Sequence, residues 1–546
     1  MALIKLQFKP GVNRDQTDYS GEGGWWEMDK VRFQSNFPQK LGGWVQAYIG
    51  GFLGVCRQMY NYATSYSDNL LALGTNIKVY LAVGSTYYDI TPLRTLNPTL
   101  ITAVTDNCVQ TSSGSATVII NLTSAHAATS GDYVTISGVT GVVGGIPNAE
   151  INANHVITVI DTDSFSFVVT TTAGSTVASG GGTAIDIDFE LSPGYASATY
   201  GYGWGTSTWG RSTWGSGSSQ PVVFAQRDWW FDNIDNDLVF NIRGGAPYYW
   251  ARGTTADPSS ALATRAVLLS QIATDGGYDP NDVPVVVTQI LVSQQDKHVI
   301  AFGAVPFGST STADFDPLLI RWSDQDNPGQ WEDTTTNSAG SLRISRGSKI
   351  ISALPTRQEI LVWTDSTLYT LQFLGTTDVY GLQQYADNVS LMSPRARLSA
   401  SNVTYWMGHD KFYTYSGRVD TLDCTLHDHV FDDINVGQAD QIICGANEGY
   451  NEIWWFYPSA DSDWNDSYVV FNYAENVWYY GSIVRTAWLD SPMMGTPIAA
   501  YSDSTGASGY LYSHEVGVDA DGVAMESYIQ SNDFDIGDGD QFMLSR

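Results

Sequence analysis

His427-Asp428-His429, followed closely by Asp432 and Asp433, brings imidazole and carboxylate side chains into one short stretch. On a strand, positions 427 and 429 share a face, an arrangement that a zinc or nickel ion could use. Two histidines fall short of a ligand set, so the preferred reading is of surface or interface residues. Asp533, Asp535, Asp538 and Asp540 in "DFDIGDGD" offer carboxylates for calcium. The twelve-residue loop pattern with its closing Glu is missing, so a solvated acidic turn is expected. "WSDQDNPGQW" (322–331) has a partial Asp-box character, but its Asp and Gly spacing is wrong and such boxes are structural turns. Glycoside hydrolysis needs two carboxylates facing each other across a cleft. Among 57 acidic residues no motif singles out such a pair. No phosphate-binding P-loop, dinucleotide fingerprint or nucleophile elbow is present. No catalytic residue, cofactor or metal ligand is therefore assigned.

The chain as a whole points the same way. Its 546 residues are 43% hydrophobic and 13% aromatic, enough for several packed cores. Charged residues reach only 15%, with 26 basic against 57 acidic side chains, a net charge of −31. A basic grip on nucleic acid is not expected on that balance, because phosphate affinity comes from Lys and Arg. DNA as a passing guest is not excluded, since a wall that repels phosphate lets it slide. Cys56, Cys108, Cys424 and Cys444 form no metal-ligand or redox spacing and are expected as free thiols. The N-terminus turns polar too early for a signal peptide, and no apolar run approaches membrane-spanning length. Folding in the cytoplasm in soluble form is expected.

Nearly all of the sequence reads as strand. Period-two alternation recurs between polar turns, as in "NDLVFNIRG", "QEILVWTDSTLYTLQF" and "VTYWMGHDKFYTYSG". A degenerate hairpin repeats along the chain: an apolar strand, a tight turn, then a strand bearing Tyr80, Tyr369, Tyr413, or Tyr510 and Tyr512. Self-similar hairpins of this kind favour radial repetition, as in a propeller, over a sandwich. One helix is expected in "PSSALATRAVLLSQIA", capped by Ser260, with Leu262, Ala266, Leu269 and Ile272 on one face. Between 97 and 190 small polar residues separate short strands, which suggests an inserted small β-barrel. "GYGWGTSTWGRSTWGSGSS" then repeats Trp-Gly at Trp204, Trp209 and Trp214. Three indoles are costly to leave in water, so they are expected to anchor this loop.

The segment Gly11–Trp44 carries Gly11-Val12-Asn13-Arg14-Asp15, Glu22-Gly23-Gly24-Trp25, Asp29-Lys30-Val31-Arg32-Phe33, Pro38, Lys40 and Gly42-Gly43-Trp44. This window resembles the opening of tail nozzle (tail hub or tail tubular) proteins of podovirus-type bacteriophages. "RWSDQDNPGQW" and "FDIGDGDQFM" are similar to further signatures of that group. The resemblance implies a virion protein of the phage tail, assembled as a homohexameric ring. It would lie below the portal and adaptor, retain packaged double-stranded DNA and conduct its ejection without binding it specifically. Its partners would be further copies, the adaptor protein above, and tail fibres or spikes. Members of the group are expected to continue beyond "QFMLSR", which reads as a strand under way, so a shortened member or a strand supplied by a partner is expected.

The expected fold is all-β. An N-terminal platform or docking segment spans 1–50, and first propeller strands span 51–96. The inserted barrel spans 97–190, the Gly/Trp loop 191–220, and a propeller-like body 221–546. Asn13, Arg14, Asp15, Trp25, Trp26, Lys30, Arg32, Phe33 and Trp44 are the expected assembly surface, since they combine aromatic area with paired charges. The competing expectation is a receptor- or glycan-binding tail protein, with or without hydrolase activity, built on a propeller.

Overall fold

A computed structural model of the chain describes residues 8–94, 107–201, 222–253, 262, 264–375, 378–503 and 506–533. Within them the alternating runs pair as consecutive antiparallel meanders. Blade 1 comprises Cys56–Ala63, Asn69–Thr75, Val79–Val83 and Thr86–Asp89. Blade 2 comprises Trp229–Ile234, Asp237–Ile242, Pro247–Trp250 and Val267–Leu268, and blade 3 Val287–Val292, Val299–Ala304, Asp316–Trp322 and Gly340–Arg343. Blade 4 is Ile350–Pro355, Ile360–Thr364, Thr367–Phe373 and Tyr380–Asp387. Blade 5 is Arg397–Ala400, Val403–Met407, Phe412–Tyr415 and Val419–Leu422. Blade 6 is Ile443–Asn447, Glu452–Pro458, Asn465–Asn472 and Val477–Ser482.

The seventh blade draws on both ends of the chain. Ala487–Leu489, Ile498–Ser502 and Ser508–His514 form its inner strands, and the N-terminal Trp44–Gln46 pairs outside Ser508–His514. First strands of neighbouring blades pack side by side from blade 1 to blade 4, and from blade 5 through blade 7 back to blade 1. Blades 4 and 5 are joined by Arg397, whose Nε donates to Ser352 Oγ at 2.9 Å. The body is a closed seven-bladed propeller.

Burial explains the sequence pattern. Second strands are covered on both faces by adjacent blades, so Ile360–Thr364 is buried throughout. Outermost strands meet water on one side, and Tyr380–Asp387 alternates accordingly. The repeated tyrosines Tyr80, Tyr369, Tyr413, Tyr510 and Tyr512 all fall in the third strand of their blades. Tyr479 and Tyr480 belong instead to the fourth strand of blade 6.

Two expectations are corrected. The helical stretch is interrupted: Leu262 is helical, Thr264, Arg265 and Ala266 are not, and helix resumes over Leu269–Asp275 with Leu268 at its N-cap. Val267 and Leu268 pair with Tyr249 and Tyr248 as the outer strand of blade 2, so the ladder claims the first half of the periodic stretch. Ser260 lies outside the described residues. The insert is not a barrel closed by a continuous ladder among the described residues. A five-stranded sheet and a three-stranded sheet face each other over Val109, Val118, Val134, Phe165, Ile187 and Phe189. Asn154–Val156 pairs in one sheet and Thr158–Val159 in the other, and buried Ile157 makes the corner. This switch of sheet divides the strands into two layers.

A buried polar knot fastens the insert to the propeller. Lys78 Nζ, from the blade 1 turn, lies 2.8 Å from Glu190 and 2.6 Å from Asp89. Arg265 of blade 2 reaches Glu190 at 2.7 Å, and Asn154 Nδ2 donates to the same carboxylate at 2.6 Å. Lys78 is 3% exposed and Glu190 1%, so neither charge is screened by water. Removing one member leaves an under-compensated buried charge, which costs about 3 kcal/mol. Lys78→Met is expected to lower unfolding free energy by about that amount in urea titrations. It should also speed proteolysis near 191–195; a loss under about 1 kcal/mol with unchanged proteolysis would refute this coupling.

Candidate assembly surface and buried charge networks

The N-terminal segment is seated on blades 6 and 7. Trp25–Asp29 pairs antiparallel with Tyr528–Ser531, and Val31–Gln34 forms a hairpin with Phe37–Lys40. The hairpin turns at Ser35 and Asn36, with φ of 53° and 66°, the left-handed pair that matches strand twist. Glu475 of blade 6 accepts hydrogen bonds from both of their amides.

The expected assembly residues divide into two groups. Arg32 and Phe33 are interior, each 1% exposed, which corrects their placement on a docking surface. The cause is local: Val31, Arg32 and Phe33 are all buried, because the hairpin lies flat on the blade 6–7 edge. Trp44 is half-buried within blade 7, stacked on His514 at 5.5 Å. Lys30 is paired with Asp29. The others remain at the outer face: Arg14 lies over the Trp26 ring at 4.2 Å and donates to Tyr480 Oη at 3.4 Å. Asp15 Oδ1 accepts from the Asp428 amide at 3.3 Å, and Asn13 Oδ1 from the Asp15 amide at 3.1 Å. Trp25 stacks on Phe8 at 4.5 Å. Trp204, Trp209 and Trp214 lie outside the described residues. The hairpin that flanks them, Thr199–Gly201 with Val222–Phe224, is tied down beside it by Gln438 Nε2 donating to Ala198 O at 2.8 Å.

The histidine pair diverges. His427–Phe431 is a short helix rather than a strand, so residues two apart point to different sides. His427 bonds Asp428 at 2.8 Å, which raises its pKa. His429 packs on Tyr480 at 4.4 Å, and burial, aided by Arg14, pulls its pKa down to about 4. Among the described residues no group of three or more His, Cys, Asp or Glu side chains is placed to hold a metal. Asp533 is described, whereas Asp535, Asp538 and Asp540 lie outside. "WSDQDNPGQW" is a structural loop: Trp331 is buried, and Asp324 accepts from Ser338 at 2.8 Å. A groove of about 350 Å³ between blades 4 and 5 is lined by Arg357, Glu359, Asn402 and Tyr415. Glu359 is the one acid in its lining, so the groove lacks the carboxylate pair of a glycosidase.

Sequence patterning missed the buried charges. Arg32 lies between Glu452, 2.9 Å from its Nε, and Glu515, whose Oε2 accepts from Nη1 at 3.1 Å. Its guanidinium stacks 3.6 Å from the centre of the Tyr450 ring. Burial alone would lower the Arg32 pKa, but Glu452 and Glu515 outweigh it and raise it. Glu452 also accepts from Trp454 Nε1 at 3.0 Å and Asn447 Nδ2 at 3.1 Å. Even so, complete burial pushes the Glu452 pKa up to about 7, against the pull of Arg32. A glutamate followed by five apolar residues, "EIWWFY", was the available signal.

A second network fills the propeller axis. Arg57 Nη1 donates to Gln441 Oε1 at 3.0 Å, and Arg395 Nη2 meets Asp228 at 2.7 Å and Gln58 Oε1 at 3.1 Å. Gln289 Nε2 donates to Ala353 O at 2.7 Å beside Ser352 and Arg397. Trp230 takes Arg395 and Arg397 at 5.2 and 5.4 Å from its ring centre. Arg57, Asp228, Gln289, Ser352, Arg397 and Gln441 are all buried. Arg395, entering blade 5, thus bonds across to blades 1 and 2, so the propeller's bore is plugged by its own side chains. Cations are hidden in preference to anions: seven described Lys or Arg residues are buried out of 26 in the chain, against five described acids out of 57. Among the described residues the solvent-facing side chains are thus more acidic in balance than the sequence.

No protein-family profile matches the chain, and no curated protein matches it. Solved structures do show likeness. The CNH domain of AfRom2 is 10% identical, with TM-score 0.28, over 52% of this chain and 93% of that one. Hsv2 of Kluyvelomyces marxianus is 8% identical, with TM-score 0.29, over 56% and 79%. The endosialidase of phage phi92 is 12% identical, with TM-score 0.15, over 93% of this chain and 62% of that one. At these scores the likenesses decide neither the fold nor the function.

Glu452 supplies a pH test. Its pKa is 4.5 when unperturbed and about 7 when folded, so the fold binds that proton more tightly than the unfolded chain. The stabilisation is therefore complete below about 4.5 and is lost as pH rises through about 7. A shift of this size corresponds to roughly 3 kcal/mol. Glu452→Gln is expected to flatten the stability profile between pH 5 and about 7.5 in denaturant titrations; an unchanged slope would refute the assignment.

Proposed function

We propose that the chain is a structural subunit of a short-tailed phage tail, a nozzle ring that retains packaged DNA and forms its exit conduit. The observation that carries this reading is the distribution of charge around a plugged propeller. A subunit whose own axis is filled by Arg57, Arg395 and Gln441 offers no bore, so a conduit would have to form between copies. Hiding cations inside leaves acidic walls, which repel phosphate and let a duplex slide. The resemblance of residues 11–44 to nozzle proteins supports the same role. Partners in this reading are further copies in a homohexamer, the adaptor above and the fibres or spikes. The chain performs no catalysis, its place is the virion, and double-stranded DNA passes without specific contacts.

The outer aromatic and charged group of Arg14, Asp15, Trp25 and Trp26 supplies an assembly face. Aromatic residues and Arg are the side chains that concentrate binding energy at interfaces.

Two measurements test the reading. Electron cryo-microscopy of the particle should place six copies on the tail axis around an acid-lined lumen. A lumen lined mainly by Lys and Arg, or a position away from the axis, would overturn it. Gel-shift titration of linear duplex at low salt should give no complex tighter than about 10⁻⁴ M.

A further inference from the structure

A cavity of about 240 Å³ opens between blades 6 and 7. Trp44, Tyr501, Tyr512, Ile483 and Val484 make most of its wall, and Lys30, Ser482 and Arg485 supply the polar atoms. Arg485 is 3% exposed and has no ion pair among the described residues. Its Nε donates to His514 Nε2 at 2.9 Å and its Nη1 to Val484 O at 2.7 Å. Trp44 and Tyr512 hold the guanidinium at 5.0 and 5.2 Å from their ring centres. The remaining nitrogen, Nη2, is buried without a hydrogen-bond partner. Burial pulls the Arg485 pKa down to about 10, which still leaves it a cation at neutral pH. His514 is neutral, since burial and then Arg485 hold its pKa well below the usual imidazole range. The nearby acid, Asp29, is already matched by Lys30 and by the Ser482 amide at 2.8 Å.

A buried guanidinium with an idle N–H and no counter-ion is costly, and a planar oxyanion is the group that relieves it. Among the other buried cations, Arg32 and Lys78 have carboxylate partners, while Arg57 and Arg397 bond uncharged oxygens. We propose that this cavity receives one organic carboxylate, bound by the Arg485 guanidinium and assisted by Lys30, with its apolar stem against Trp44, Tyr501 and Tyr512. Carboxylate and guanidinium match as planar partners. The aromatic wall selects an anion with a hydrocarbon stem over a fully hydrated phosphate. Two sources share this chemistry: an acidic side chain of a neighbouring copy, or a free small carboxylate. Only the first rests on the ring reading.

Calorimetric titration of the full chain with propionate and with inorganic phosphate, at constant ionic strength, tests the site. Saturable propionate binding is expected, weakened about tenfold in both Arg485→Lys and Tyr501→Ala, with phosphate silent. Arg485→Lys keeps the charge and the fold while losing the planar fork, and half-buried Tyr501 gives an independent variant. If the natural source is a neighbouring copy, propionate should also dissociate the assembled ring, and Arg485→Lys should weaken association about tenfold in analytical ultracentrifugation. If the source is free, propionate binds and association is unaffected. Equal binding of phosphate, or no propionate binding together with unaltered association in Arg485→Lys, would overturn the proposal.

Discussion

Arg32 is the point at which the two ends of this chain are committed to one another. It sits in the N-terminal hairpin, yet its carboxylate partners are Glu452 in blade 6 and Glu515 just beyond the last strand of blade 7. A guanidinium placed in a site of this burial is tolerable only while both acids are present, so the hairpin docks completely or not at all. Docking then delivers Trp44–Gln46 to the outside of blade 7, which closes the circle. The energetic constraint and the topological one are therefore the same contact. A propeller held only by its inner strands could open at the seam between first and last blades. Here that seam is made from residues over four hundred positions apart.

The same economy of charge governs the rest of the molecule. The chain is poor in cations, and it places many of them where they organise structure: at the hinge to the insert, along the axis, and under the N-terminal hairpin. Each such site replaces water by backbone carbonyls, aromatic faces and a small number of acids. A cation used in this way contributes rigidity and leaves the exterior field to the carboxylates. Lys30 and Arg14 are exceptions, since they remain near the surface beside Asp29 and Trp26.

The all-β class and the repeated hairpin were legible because both follow from period-two burial, which local sequence records directly. Tyr80, Tyr369 and Tyr413 mark equivalent strands for that reason. The closure of blade 7 was not legible, because Trp44–Gln46 is short and its partner lies at the far end of the chain. The helix at 269–275 was half-read: helical spacing extended back to Leu262, but pairing with Tyr248 and Tyr249 took Val267 and Leu268 into a strand. His427 and His429 looked like a shared face only on the assumption of a strand. Of the expected assembly residues, Arg32 and Phe33 were misplaced by treating charge and aromatic area as signs of exposure. Burial reverses that inference whenever an acid such as Glu452 is buried alongside.

A plugged axis also bears on how such a subunit could transmit force. Seven blades packed around Trp229, Trp363, Trp406 and Trp455, each nearly inaccessible, form a body with few independent motions. Adjustment is left to the parts outside the seven blades, namely the insert behind its Lys78–Glu190 knot and the pair of strands at Trp25–Asp29 and Tyr528–Ser531. Both are attached on the periphery rather than at the core. In a ring of such bodies the propellers would act as fixed staves, and opening or closing would be a rearrangement between them. Under the proposed ring, a gate would be a property of the surfaces between copies rather than of the axis of one propeller.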